Sequence, residues 1–129
     1  MANTLNDQQI ILSYRIVSND DSRSQKIYNE LEQIAQKLGG IHDATTSTYL
    51  FHRASLIALK LSILAIFKPH GVQFRYKDYF RIFVATPTNG YTVYSLEKNL
   101  LANHWVMVWK KYSFTSYMRS VSIRNRINI

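Results

Sequence analysis

An apolar strand followed by an amphipathic helix opens this chain and restricts it to folds in which helices pack against a sheet. The stretch Ile10–Val17 is apolar on both alternating faces apart from Ser13 and Arg15, which is typical of a central strand. After the sequence SNDDS, which supplies N-cap residues, apolar residues recur at helical spacing up to Gly39-Gly40. The pattern predicts a strand that is covered by the helix after it.

The same alternation of strand and helix patterns continues to residue 95. IHDATTSTYLFHR is rich in β-branched and aromatic residues and predicts one bent strand or two strands. ASLIALKLSILAIFK is apolar nearly all round but shorter than the roughly twenty residues that cross a bilayer, so it predicts a buried helix. YFRIFVATPTNGYTVYS predicts two strands joined at an Asn89-Gly90 turn.

This order predicts the α+β class, as a ferredoxin-like βαββαβ sandwich with an antiparallel sheet and a C-terminal helix or strand extension. Residues 1–95 would form the core and residues 96–129 a basic extension packed on the core or on a partner subunit. Both helices are expected on one sheet face, which leaves the other face open to a partner or a ligand. Aromatic side chains that we expect on the open face are Tyr14, Tyr49, Phe51, Phe80 and Tyr94.

The C-terminal third allows two interpretations. SLEKNLLANHWVMVWKKY can begin as a helix capped by Ser95, whereas HWVMVWK alternates like a strand, as does the terminal SVSIRNRINI. Such a strand would add to a sheet edge, in its own chain or in a partner. Interleaved cations and aromatics are typical of a nucleic-acid surface, but they also suit the solvated face of a dimer-stabilising arm.

Positive charge is concentrated after residue 43. Sixteen Lys and Arg against eight Asp and Glu give a net charge of +8. Residues 1–43 contain four of the basic and six of the acidic residues, which leaves twelve basic residues against only Asp78 and Glu97 in the remainder. This asymmetry predicts a face that attracts a polyanion, DNA or RNA. The predicted nucleic-acid-binding residues are Arg15, Arg53, Lys110, Lys111, Arg119, Arg124 and Arg126.

Four stretches carry a resemblance to a known family: IILSYRIVSND, KLGG, TTSTYLFHR and DYFRIFVATP. Over about residues 9–95 the chain resembles the small ferredoxin-like proteins of the CRISPR adaptation subunit and VapD-type endoribonuclease group. The resemblance implies a homodimer joined through sheet edges and open faces, with nucleic-acid binding or cleavage in some members. Members that cleave carry an aspartate at the end of the first strand, where this chain has Arg15. A guanidinium stays protonated and repels a metal cation.

Enzymatic activity therefore stays an open question at this stage. Asp20 and Asp21 are candidate ligands that the helix cap also explains, and His52 with Arg53 could form a general base and phosphate clamp or simply a polar strand end. No cofactor is expected, and Mg²⁺ would be required only by a nuclease.

The sequence predicts a cytoplasmic, homodimeric nucleic-acid-binding protein that does not cross a membrane, since no secretory signal pattern is visible at the N-terminus. Two alternatives remain. One is a structural or protein-interaction module from a mobile element, and the other is a metal-dependent ribonuclease-like toxin.

Overall fold

Six strands and two helices make up the part of the chain that the structure, a computed structural model, describes: residues 8–17, 21–67, 74–87 and 90–114. A short 3₁₀ helix at Arg53–Ser55 precedes the second α-helix. In chain order the elements are β1 (Gln9–Arg15), α1 (Asp21–Leu38), β2 (Ile41–Asp43), β3 (Thr48–His52), α2 (Leu56–Phe67), β4 (Tyr79–Ala85), β5 (Tyr91–Leu101) and β6 (His104–Phe114).

All six strands join one antiparallel sheet in the order β2-β3-β1-β4-β5-β6. The first strand is central, and its Ile11 lies between Leu50 of β3 and Phe83 of β4. Strands β5 and β6 form a long hairpin whose two turn residues, Ala102 and Asn103, both have positive φ. Two consecutive positive φ values match the twist that such tight hairpins require.

The helices cover one face of the sheet because both present apolar residues at helical spacing. Helix α1 buries Ile27, Leu31 and Ala35, and it ends just before Gly39, whose φ of 74° suits a glycine that follows a helix C-terminus. Helix α2 buries Leu59 and Ile63 against the same core. None of the helices in the described part of the chain is long and apolar enough to span a membrane.

The sheet face turned away from α1 and α2, called the outer face below, is partly closed by a second apolar cluster. This cluster consists of Ile11, Phe83, Ala85, Tyr91 and Val93, all of them buried. The expectation of a uniformly open face is therefore wrong for this half of the sheet.

The aromatics expected on the open face lie on the helix side instead. Tyr14 pairs with Phe80 and Leu12 pairs with Tyr49, and these side chains belong to the core beneath the helices. Phe51 is buried in the same core, against which Tyr94 packs. Because side chains alternate along a strand, an error of one position transfers a whole set to the other face.

The structure confirms a mixed α+β protein with an antiparallel sheet, but the element order does not end at βαββαβ. Strands β5 and β6 extend the sheet, and β2 and β3 are two strands rather than one bent strand. The helix considered from Ser95 onward is wrong: Ser95–Leu101 continues β5, since Leu96 is buried opposite Trp109 of β6. The division at residue 95 stays a prediction, and the terminal strand expected in 120–129 lies outside the described residues.

Candidate nucleic-acid interface

Strand register aligns polar residues across the outer face. Ser13 of β1 pairs with Thr48 of β3 and with Arg81 of β4. Arg81 in turn pairs with Ser95 of β5, which pairs with Lys110 of β6. These five residues (Thr48, Ser13, Arg81, Ser95 and Lys110) are the polar row. It runs beside the second apolar cluster, so the outer face is divided into an apolar half and a polar half.

The cations of the polar half are accessible to solvent, whereas its hydroxyl groups on β1 and β3 are not. Ser13 and Thr48 are buried, whereas Lys110 is exposed and Arg81 is half-buried. Arg15 is exposed on the next rung, where it pairs with Tyr79. The guanidinium carbon of Arg81 lies 4.4 Å from the centre of the Tyr79 ring, a distance suited to a cation–π contact. Three cations and an aromatic ring thus share one face.

A single carboxylate from β4, β5 and β6 approaches these cations. Glu97 Oε1 lies 3.8 Å from Lys110 Nζ in a solvent-accessible pair, which is a weak interaction. Its other oxygen accepts a 2.7 Å hydrogen bond from the hydroxyl of Tyr112. This hydrogen bond to Glu97 raises the pKa of Tyr112. The carboxylate is therefore shared between two partners, and Lys110 keeps its access to solvent.

The structure separates the residues predicted to bind nucleic acid. Arg15 and Lys110 reach the outer face, but Lys111 pairs with Tyr94 on the helix side because neighbouring residues of a strand point to opposite faces. Arg53 follows β3 at the end where His52 pairs with Gln9, the opposite end of β1 from Arg15. Its guanidinium donates a 3.4 Å hydrogen bond to the carbonyl of Ala85. Arg119, Arg124 and Arg126 lie outside the described residues.

The two candidate catalytic residues in the described part of the chain, His52 and Asp21, lie on different elements, at the end of β3 and at the start of α1. His52 Nδ1 accepts the backbone N–H of Ala54 at 3.1 Å, so it caps the 3₁₀ helix. While Nδ1 accepts this hydrogen bond, the ring hydrogen of a neutral His52 resides on Nε2. Asp21 is the first residue of α1, and Asp20 lies outside the described residues. The geometry favours the structural interpretation of His52.

A buried ion pair that sequence reasoning missed lies just beyond the end of β1. The Asp78 carboxylate, with no exposed surface, accepts the backbone N–H of Val17 at 2.7 Å and that of Arg75 at 2.8 Å. It also pairs with the Arg23 guanidinium, which donates to the carbonyl of Val17. Three donors bind this carboxylate, so it fixes the chain after β1. Among the described residues, no group of three or more His, Asp and Glu could hold a metal ion.

A second missed feature is an aromatic cluster on the helix side, at the hairpin of β2 and β3. The Tyr14 hydroxyl lies 2.7 Å from His42 Nε2, and the His42 ring stacks on Tyr49 with 4.3 Å between centres. Burial, followed by the neighbouring Tyr49 and Tyr28, raises the pKa of Tyr14 to about 12. The phenol therefore stays protonated at neutral pH, and it shares a hydrogen bond with His42 whose direction is set by the tautomer of the imidazole.

This cluster contains no Lys or Arg, so it adds no permanent positive charge for a phosphate. Burial raises the pKa of Tyr49 too, with Glu32 as a further cause. His42 and Tyr49 are both visible in the sequence, but their contact could not be predicted without the register of β2 and β3, in which the two residues pair. We interpret the cluster as the contact that holds the short β2 strand on the sheet.

Comparison of the chain with protein-family models, curated proteins and solved structures finds no match. The resemblance to the CRISPR adaptation subunit and VapD-type group consequently stays a prediction. The feature of the molecule that bears on function is the polar half of the outer face.

Proposed function

We propose that the protein binds single-stranded nucleic acid on the polar half of its outer face, through Arg15, Arg81 and Lys110. The observation that carries the proposal is the placement of these three cations on one face, with Arg81 over the ring of Tyr79. Lysine and arginine neutralise phosphates, and aromatic rings and guanidinium planes stack with bases that are not paired.

The charge balance supports a polyanion partner over a neutral one. Asp78 is neutralised by Arg23 inside the protein, so Glu97 is the only other acidic residue after Asp43. Basic residues outnumber acidic ones by ten over residues 44–129. Unpaired bases can stack on an aromatic ring or a guanidinium plane of a sheet face, and Tyr79 with Arg81 offers both, which favours a single strand of DNA or RNA.

We further propose that β1 to β4 with the two helices form a ferredoxin-like unit, to which the β5–β6 hairpin adds at one edge. The order β2-β3-β1-β4 with antiparallel pairing throughout supports this arrangement. In such a unit the helices occupy one face, so that the other is available for a ligand.

Binding can be tested by fluorescence anisotropy of labelled single strands and duplexes of DNA and RNA over a salt series. We expect saturable binding to single strands, and a loss of about tenfold or more when Arg81 and Lys110 are both changed to Gln. The slope of log affinity against log salt should fall by about 1.4, since each lost phosphate contact on a single strand removes roughly 0.7.

Lys111→Gln is the matched control, because it removes the same charge from the same strand on the opposite face. It should change the affinity less than twofold. Because the control removes one charge and the double variant removes two, a loss of log affinity in the control that is half the loss in the double variant would mean that net charge alone binds the nucleic acid. An absence of binding at low salt would exclude the proposal, and Mg²⁺ added to the same samples would reveal any cleavage.

A further inference from the structure

The edge strand β6 leaves an apolar surface at the end of the sheet. Among the described residues β6 pairs only with β5, and its first half, His104–Trp109, contains no Lys, Arg, Asp or Glu. Trp105 is 55% exposed, and its cross-strand partner Leu100 is 58% exposed. A long edge strand with exposed apolar side chains is a template for pairing with another strand.

We propose that the first half of β6 pairs antiparallel with the same segment of a second copy of this chain, around a two-fold axis at Met107. Antiparallel pairing of a strand with its own copy is the arrangement that a two-fold axis produces. The proposal does not depend on nucleic-acid binding, because the pairing uses the backbone edge of β6, whereas Lys110 of the same strand projects from the outer face.

The side chains of β6 select this register. With Met107 on the axis, Trp105 lies opposite Trp109 of the second copy and Val106 lies opposite its Val108. Aromatic and β-branched cross-strand pairs stabilise a sheet. Registers centred on Lys110 or Lys111 place like charges opposite each other, which is unfavourable. A register centred on Trp109 places both lysines opposite apolar residues and leaves Trp105 outside the apolar segment.

Helix α2 adds apolar surface on the helix side of the same edge. The indole N–H of Trp109 donates a 2.8 Å hydrogen bond to the carbonyl of Lys60, whose ammonium lies over the Tyr94 ring. This side of α2 thus faces β5 and β6. Ile57 lies one turn before Lys60 and is 72% exposed, so it can contact a second copy placed at the edge of β6.

The proposed pairing can be tested by sedimentation equilibrium of the full chain over a range of concentrations. We expect a dimer that Val106→Lys with Val108→Lys weakens by about tenfold or more, because lysines would then oppose each other on both sides of the axis. Ile41→Lys, on the opposite edge strand β2, is the matched control and should leave the dimer unchanged. Circular dichroism establishes that each variant folds.

Cysteine crosslinking tests the register without added charge, since the chain contains no cysteine. A mixture of the Val106→Cys and Val108→Cys proteins should form a disulfide-linked heterodimer on oxidation, because directly opposite Cα atoms lie about 4.5 to 5.5 Å apart. Each variant alone should crosslink at least severalfold less.

Equal crosslinking of the separate and mixed proteins would overturn the register. A monomer at every concentration would overturn the proposal itself. Coverage of β6 by residues 115–129 of the same chain is one arrangement that would give this result.

Discussion

Burial of Tyr14 in the central strand β1 makes the stability of the protein sensitive to high pH. Its pKa is about 12 in the folded protein against 10 in the unfolded chain. The stabilising effect of the neutral phenol is thus complete below pH 10 and is lost as the pH rises toward 12. Between pH 9 and 11 the free energy of unfolding of the native protein should fall by about 1 kcal/mol more than that of Tyr14→Phe.

Urea titrations of both proteins at the two pH values measure this difference, and other titrating groups cancel because both proteins contain them. Parallel losses in the two proteins would contradict the assignment of a raised pKa to Tyr14.

The buried Arg23–Asp78 ion pair is a second feature of individual residues that affects the free energy of unfolding. Removing one partner leaves a buried charge without its counterion, so Arg23→Ala or Asp78→Ala should each lower the free energy of unfolding by about 3 to 5 kcal/mol. The double variant should lose less than the sum of the two, because neither charge is then left alone. Urea denaturation of the four proteins gives the coupling energy, and purely additive effects would contradict a direct interaction.

At the scale of elements, Gly90 allows β5 to begin next to the end of β6. A Cβ built on Gly90 would lie 2.5 Å from the carbonyl oxygen of Phe114 and 3.2 Å from Thr86 Oγ1. Since a backbone atom cannot move aside as a flexible side chain can, Gly90→Ala should lower the free energy of unfolding by about 1 to 3 kcal/mol.

Gly39→Ala is an informative comparison, because Gly39 has positive φ but no atom within 4 Å of such a Cβ. This substitution should lower the free energy of unfolding by about 1 kcal/mol, from backbone strain alone. Thermal denaturation followed by circular dichroism compares the two variants, and a Gly90→Ala protein as stable as the native one would show that β5 and β6 can separate there.

Most elements were predictable because each depends on local pattern. The apolar spacing that ends at Gly39-Gly40 predicted α1, and the β-branched and aromatic residues around Tyr49 predicted a strand. The sheet face that each side chain occupies was harder to predict, because it depends on a register that is set by contacts between distant segments. Lys110 and Lys111 look equivalent in sequence but lie on opposite faces, and Asp78 was indistinguishable from an exposed acid until Arg23 was found beside it.

At the scale of the whole molecule, the sheet separates the main core from the surface that we propose for nucleic-acid binding. Its helix side contains the main core, while its outer face is divided between the second apolar cluster and the polar row. Changes in the core should therefore reduce stability without a specific effect on nucleic-acid affinity. We expect Ile63→Ala, under α2, to lower the free energy of unfolding by about 2 to 5 kcal/mol.

In the same variant, single-strand affinity measured well below the melting temperature should stay within twofold of the native value. Calorimetry paired with anisotropy measures both quantities. A large loss of affinity in a folded Ile63→Ala protein would show that the two faces are coupled.

The central position of β1 has a consequence for synthesis of the protein. Of the six strands of the sheet, β1 leaves the ribosome before the others, yet both of its partners, β3 and β4, are made only after α1 and, for β4, after α2 as well. Its apolar side chains must remain unpaired until those segments emerge, a period in which exposed strands are prone to misassociation. Nascent chains that end before β4 should therefore engage general chaperones, and release from them should coincide with the emergence of Tyr79–Ala85.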